Sequence, residues 1–440
     1  MSDADLVVGL DERTMNEVLA RAYGQLYPKL FRGSEHVARS GLEFDVGWDV
    51  TAAPTVVLAQ PPNGEQLVRD HLAQNFTPPP GISAEQVADA YVATLDGTTF
   101  QLVMRSVTFS IRGDGAEGST NGTLTIFVQV DPSAGPIALR PLKAVGTVEH
   151  ADDEWILNEV ILPEAMRRAA EALAGVRPPA LAFPGVPLTP PAVSVTRSHV
   201  LALANLAGKP TPVPPFADQW PAAPFFAVLS EEAKMAVARD GTRQIAGREF
   251  GDRGSVNIGI GTAKYAATAR VERMDLSPGT PGSTEFGFNG PITGNVNAGI
   301  EIGCTTFGVN YTLYAKPDPN GRISLELYDG RKVRARTTRV ETFTLLLRPD
   351  GSPLEWILSA LTTPLLFSLT AIFTPAFTKL FEGISFDVWE LPSIPVDFDD
   401  VHLVVRPSDV RFGAFAGRTT IEGSVEIATR GLVAAAAGEA

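Results

Sequence analysis

The chain opens on a short apolar run, Leu6-Val7-Val8-Gly9-Leu10, followed by Asp11. Apolar residues then recur three and four apart at Met15, Val18, Leu19, Ala22, Leu26 and Leu30. That spacing lays one apolar stripe along a helix reaching to about Phe31. Asp11 is its expected cap: a carboxylate there accepts from the orphan amides of the first turn, and Glu12 suits the positive helix end. Beyond the helix the period changes to two. Leu42, Phe44, Val46, Trp48 and Val50 alternate with other residues, as do Val107, Phe109 and Ile111, and then Leu124, Ile126, Val128 and Val130. Such alternation predicts antiparallel strands with one apolar face.

The same order of patterns returns in the second half. Phe225-Phe226-Ala227-Val228-Leu229 precedes Ser230, a second expected cap, and a weaker helix to about Phe250. Leu10 and Leu229, the two caps, and Phe31 and Phe250 all lie 219 positions apart. Alternation resumes at Val256, Ile258 and Ile260, at Val296, Ala298, Ile300 and Ile302, and at Val309, Tyr311 and Leu313. Turns at Asp318-Pro319-Asn320-Gly321 and Asp329-Gly330 separate the later strands. Each half then shows a long helix, about 159–175 and 354–381, and a Pro-x-x-Pro return at Pro184/Pro187 and Pro392/Pro395, with an offset of 208. The falling offset predicts a second copy about eleven residues shorter in its middle. Between the copies, prolines at 210, 212, 214, 215, 221 and 224 predict an extended linker. The expected segments are 1–208, a linker over 209–224, and 225–440.

Composition narrows the picture. Apolar residues make up 44 % of 440, enough for sizeable cores, while charged residues reach only 20 % and Gly and Pro number 40 and 35. This fits a turn-rich β protein better than a helical bundle. A net charge of −14 opposes nucleic-acid binding. One cysteine, Cys304, rules out an intrachain disulfide. The N-terminus has neither a basic nor an apolar leader segment, so a cytoplasmic location is expected. The 23 uncharged residues Trp356 to Thr378 are long enough to span a bilayer but hold Pro364 and Pro375. They are read as a helix buried on nearly all sides and bent at its prolines.

The opening Val-Val-Gly-Leu-Asp-Glu-Arg-Thr-Met-Asn-Glu-Val-Leu (7–19), the two Pro-x-x-Pro returns and the proline-rich linker resemble the tubular lipid-binding superfamily. The likeness is to its bactericidal/permeability-increasing-protein-like tandem members, and nearest in type to those encoded beside clostridial neurotoxins. It implies an α+β fold of two tandem modules, each a long helix wrapped by a highly curved antiparallel sheet, set as an elongated boomerang. It implies non-enzymatic binding or transfer of lipid or another long apolar ligand in a channel between helix and sheet. Met15, Leu19 and Leu26 are expected to line the first channel, and Leu365, Leu369, Ile372, Phe373 and Phe377 the second. Secreted members carry a signal peptide and a disulfide, which this chain lacks; that favours the intracellular or toxin-cluster type. The alternative is a protein-interaction component with a side-chain-filled interior and a partner from a neighbouring gene.

The residues that carry bond chemistry elsewhere are not arranged for it here. The five histidines form no ligand pair, and no Gly-x-Ser-x-Gly elbow is present. Gly259-Ile-Gly261 opens no βαβ unit, and Asp397, Asp399 and Asp400 lack the spacing of a calcium loop. No catalytic residue, metal or cofactor is therefore expected. A basic run, Arg331, Lys332, Arg334, Arg336 and Arg339, stands out. Arg334 and Arg336 share a strand face and are candidate contacts for an anionic head group or a transient membrane surface. The competing reading is an edge strand kept from pairing by its charges.

Overall fold

The two short apolar runs both form strands, and they meet. In the computed structural model Leu6–Asp11 (β1) pairs antiparallel with Phe225–Leu229 (β10), Leu6 opposite Leu229 and Val8 opposite Ala227. The structure describes residues 4–429 apart from 40, 60–65, 67–68, 70–79, 84, 87–88, 90–96, 114–115, 132–137, 151–153, 155–156, 175–185, 213–218, 244, 258–261, 303–304, 352–362 and 399–400. Cys304, Gly259–Gly261, Asp399, Asp400, part of the linker and the start of the helix expected over 354–381 thus lie outside the described residues. Strands and helices are numbered in chain order.

β1 and β10 sit at the middle of a seven-stranded sheet. Its order is β21 (Ile394–Phe398), β22 (Val401–Phe415), β23 (Arg418–Thr429), β10, β1, β9 (His199–Ala204), β8 (Ala192–Val195). The runs are continuously apolar because both of their faces are buried. Val7, Phe226 and Val228 pack with Leu201, Leu203 and Trp220 of the linker on one face. Leu6, Val8, Phe225, Ala227 and Leu229 face the other way, into the largest core. Leu6 opposes Ala204 in β9 and Phe225 opposes Gly423 in β23, so the 219-residue offset recurs in the strand register. The expected eleven-residue shortening rested on matching proline returns, and strand register overrides it.

In the first half, β2 (Arg32–Arg39), β3 (Leu42–Val50), β5 (Thr99–Gly113), β6 (Ala116–Asp131) and β7 (Ala138–Val148) form a sheet in that order, with β4 (Thr55–Val57) added to β5. The second half builds two five-stranded sheets. One is β11 (Glu249–Asn257), β12 (Thr262–Val271), β15 (Ile292–Ile302), β16 (Thr305–Lys316) and β19 (Thr344–Pro349). The other is β13 (Asp275–Pro278), β14 (Glu285–Asn289), β17 (Asn320–Tyr328), β18 (Lys332–Val340) and β20 (Ser385–Glu390).

The expected α+β plan of long helices each wrapped by a sheet is not what the chain forms. It is mostly β, with curled sheets and, among the described residues, four α-helices: α1 (Glu12–Leu26), α2 (Leu162–Ala174), α3 (Glu231–Thr242) and α4 (Thr363–Glu382). α1 stops at Leu26 because Pro28 forces the residue before it out of the helical region; Tyr27 is extended, with φ −76 and ψ 135. Both caps hold: Asp11 accepts from the Thr14 amide at 2.8 Å, and Ser230 from the Ala233 amide at 3.1 Å. α1 is a wedge rather than a sheathed rod. Val18, Ala22 and Leu26 pack on Ile394, Val401, Leu403 and Val405 from the far end of the chain, while Met15 and Leu19 face the first-half core. In place of one second sheath, the second half splits its strands between two sheets.

One buried carboxylate ties the junction together. Asp5, 2 % exposed, accepts from the Leu206 amide at 2.9 Å, the Lys209 ammonium at 2.9 Å and the Ser230 hydroxyl at 2.7 Å. Burial by itself would raise this carboxyl; the amide, ammonium and hydroxyl outweigh it and hold it below the usual carboxylate range. Asp5→Asn should cost about 2 kcal/mol at neutral pH in urea unfolding. The depressed group contributes stability above its unfolded pKa of about 3.9, and that share is lost as pH falls through the lower folded value. The substituted protein should therefore lose less stability than the parent over that acid range. At Gly9 an added Cβ would sit 2.2 Å from the Phe226 ring. Gly9→Ala should destabilise by about 2–3 kcal/mol, read as a lower urea midpoint at unchanged slope.

Candidate functional site: a groove between helix α4 and an edge strand

α4 buries one stripe. Leu369, Phe373, Phe377 and Phe381, four residues apart, are 0, 1, 9 and 0 % exposed. Phe373 meets the Tyr265 ring edge-on at 5.4 Å, Phe377 meets Phe250 at 6.4 Å, and Phe381 stacks on Phe288 at 6.0 Å. The helix runs unbroken across Pro375. The opposite face is bare, with Phe367 73 % exposed and Ile372 39 %. Burial on nearly all sides is thus corrected: the helix packs on β11 and β19 of one sheet and β18 of the other, and leaves its remaining face exposed. Among the described residues no helix is long and apolar enough to cross a membrane.

Toward its C-terminal end α4 does not close against the sheet. β12 alternates strictly, burying Ala263, Tyr265, Ala267, Ala269 and Val271. Methyl side chains at 267 and 269 are too short to reach the helix. They leave a groove of about 370 Å³ floored by Ala267, Ala269, Phe373 and Phe377, and walled by Phe250, Ala376 and Leu380. Among the described strands β11 is the last of its sheet, so the groove opens along that edge. Its volume falls at the low end of small-ligand clefts. A larger hollow of about 470 Å³ in the first half is lined by Thr51, Arg105, Thr108, Asn121, Thr123 and Glu149 among others, and offers an apolar chain little.

One carboxylate borders the groove and takes a hydrogen bond from a neighbouring phenol. Asp252 on β11 opposes Ala267 and so shares its inward face. Its Oδ2 accepts from the Tyr265 hydroxyl at 3.2 Å, and its Oδ1 from the Arg253 amide at 2.9 Å. Burial raises the Tyr265 phenol above its ordinary range, and the Asp252 charge adds to the rise. No protein-family model and no curated protein matches the chain. Among solved structures it is similar to the P47 protein of Clostridium botulinum E1, at 9 % identity over 97 % of this chain and 100 % of that one, with a TM-score of 0.43. It is also similar to lipopolysaccharide binding protein, at 10 % identity over 96 % and 99 %, with a TM-score of 0.27. Scores this low carry nothing over to this chain.

The expected site residues scatter. Phe373 and Phe377 line the groove, Leu369 lies deeper on the same helix stripe, and Ile372 faces outward. Leu365 is in the first turn of α4, with its side chain outside the description. Met15 and Leu19 are half-buried against the first-half core, and Leu26 belongs to a separate cluster on β21–β23. Arg334 and Arg336 lie on β18, an interior strand between β17 and β20, which removes the edge-strand reading. Arg334 pairs with Glu326 at 2.5 Å and its guanidinium lies 4.8 Å over the Tyr328 ring. Phe250, Asp252, Ala267, Ala269 and Leu380 join the groove beyond the expected residues; the alternation of Ala263 to Val271 is a sequence signal for Ala267 and Ala269 alone.

This geometry separates neighbours on α4. Phe373→Ala should cost about 3–4 kcal/mol in equilibrium unfolding. Ile372→Ser, one residue away, should stay within about 0.5 kcal/mol of the parent.

Proposed function

We propose that this protein binds one apolar chain, of lipid or another long hydrocarbon ligand, in the groove between α4 and the β11–β12 edge. The role is binding or transfer, without bond chemistry, as the resemblance to tubular lipid-binding proteins implies. The observation that carries the reading is the pair Ala267 and Ala269 facing Phe373 and Phe377 across an open, mostly apolar gap. A methylene moved from water into such a gap gains about 0.8 kcal/mol, and the aromatic walls supply contact area on both sides.

Ala267→Leu tests it, because the larger side chain grows into the gap. Displacing about two methylenes should weaken binding of dodecanol roughly tenfold, measured by calorimetric titration of the full chain. The thermal midpoint should hold or rise, since the substitution fills space. Undiminished binding in a folded variant would place the ligand elsewhere.

A second reading, an assembly or protein-interaction role, is favoured by the Phe367 ring standing 73 % exposed. Phe367→Ser distinguishes the two: it should abolish a protein complex while leaving dodecanol binding unchanged.

A further inference from the structure

The groove also carries a charge preference. Its lining includes two carboxylates, Glu249 and Asp252, and no lysine or arginine. Asp252 is the sharper anomaly. Inward positions on a strand that borders an apolar core are apolar as a rule, and its inward neighbour Phe250 obeys. Asp252, opposite Ala267, instead places a carboxylate on that side of the strand, exposed at the open edge of the groove that Phe373 and Phe377 line.

Three features fix that carboxylate as an acceptor. Tyr265 donates to one oxygen and the Arg253 amide to the other, which settles its orientation. Each oxygen retains a second lone pair. Nearby cations lie across the sheet: Arg253 opposes Ala266, and Arg270 opposes Glu249, on the face away from Ala267 and Ala269. Among the described residues that line the groove, nothing positive competes for Asp252.

We propose that the groove takes an amphiphile with a cationic head: a single apolar chain lies along Phe373 and Phe377, and an ammonium group at its end pairs with Asp252. This rests on the reading that the groove holds an apolar chain, and specifies the ligand class. A carboxylate- or phosphate-headed chain would bring a like charge to Asp252 and is disfavoured; Glu249 lies with Arg270 on the outer face. Another role for an inward charge on an edge strand is to deter strand addition; that role requires no ligand preference.

The test titrates the full chain with three probes of equal length, dodecylammonium, dodecanol and laurate, each below its micelle concentration. Attraction for one charged head and repulsion of the other, each worth a few-fold at a partly exposed site, should separate dodecylammonium from laurate by roughly tenfold, with dodecanol between. Asp252→Asn, which keeps the shape, should bring dodecylammonium down to the affinity of dodecanol and leave dodecanol unchanged. Tyr265→Phe should reduce the difference less, since it removes an orienting donor and not the charge. If laurate binds as tightly as dodecylammonium, or if Asp252→Asn leaves their ratio intact, the cationic-head assignment is overturned. Dodecanol binding that Ala267→Leu still weakens would in that case preserve the apolar-chain reading. Failure of all three probes to bind would remove both.

Discussion

The pairing of β1 with β10 is the constraint on which the rest of the structure hangs. Each strand is only a few residues long, and both faces of each are buried, so neither can satisfy its backbone amides and carbonyls except through neighbouring strands. One neighbour comes from the other half. The chain thus cannot complete its central sheet until residues more than two hundred positions apart have met. Gly9 allows that meeting, because the Phe226 ring occupies the space its side chain would take. Asp5 then fastens the strand start to the linker at Lys209 and to the cap of α3 at Ser230. Ser230 serves twice, accepting from the helix amide and donating to the carboxylate, so the capping of α3 and the closure of the sheet are one arrangement.

From this centre the two halves diverge. In the first, α2 rests along β7 while its Arg167 and Arg168 reach Glu35 on β2, each at 2.6 Å. β2 and β7 are the two ends of their sheet, so the ion pairs draw its edges toward each other across the helix. Among the described residues no ion pair joins α4 to β11. There the strand facing the helix carries alanines, and the edge stands apart with the groove beneath it. Side-chain volume at two positions, more than any difference in strand order, decides that this end of the second half stays open.

The sequence was legible where a signal is local. Caps at Asp11 and Ser230, the stripe of α1 and the alternating runs of β3, β5, β6 and β16 all follow from short-range geometry that any fold must respect. Fold class was not legible, because wrapping depends on register and on which sheet each strand joins, and a period of two says neither. Leu26 illustrates the limit: it shares the α1 stripe with Met15 and Leu19, yet a helix wedged between two bodies sends adjacent turns into different cores. The groove escaped for a related reason. Hydrophobicity marks what fills space, and Ala267 and Ala269 matter for what they leave empty.

The basic run and the groove differ in how far their charges are already met. On β18 and its flanks, Arg331 pairs with Glu390, Lys332 with Asp329, Arg334 with Glu326 and Arg339 with Glu341. An anionic head group arriving at any of these four must displace a carboxylate already within ion-pair distance; Arg336, exposed on β18, carries no such ion pair among the described residues. Each such exposed pair is worth only about 0–1 kcal/mol, but displacement exchanges one anion for another and gains little. The groove presents the reverse case. Asp252 is held in place by a phenol and an amide, neither of which neutralises it, and an ammonium would add a charge pair without breaking either bond. Four of the five clustered cations in this acidic chain are thus already paired, whereas the Asp252 carboxylate accepts only from a phenol and an amide.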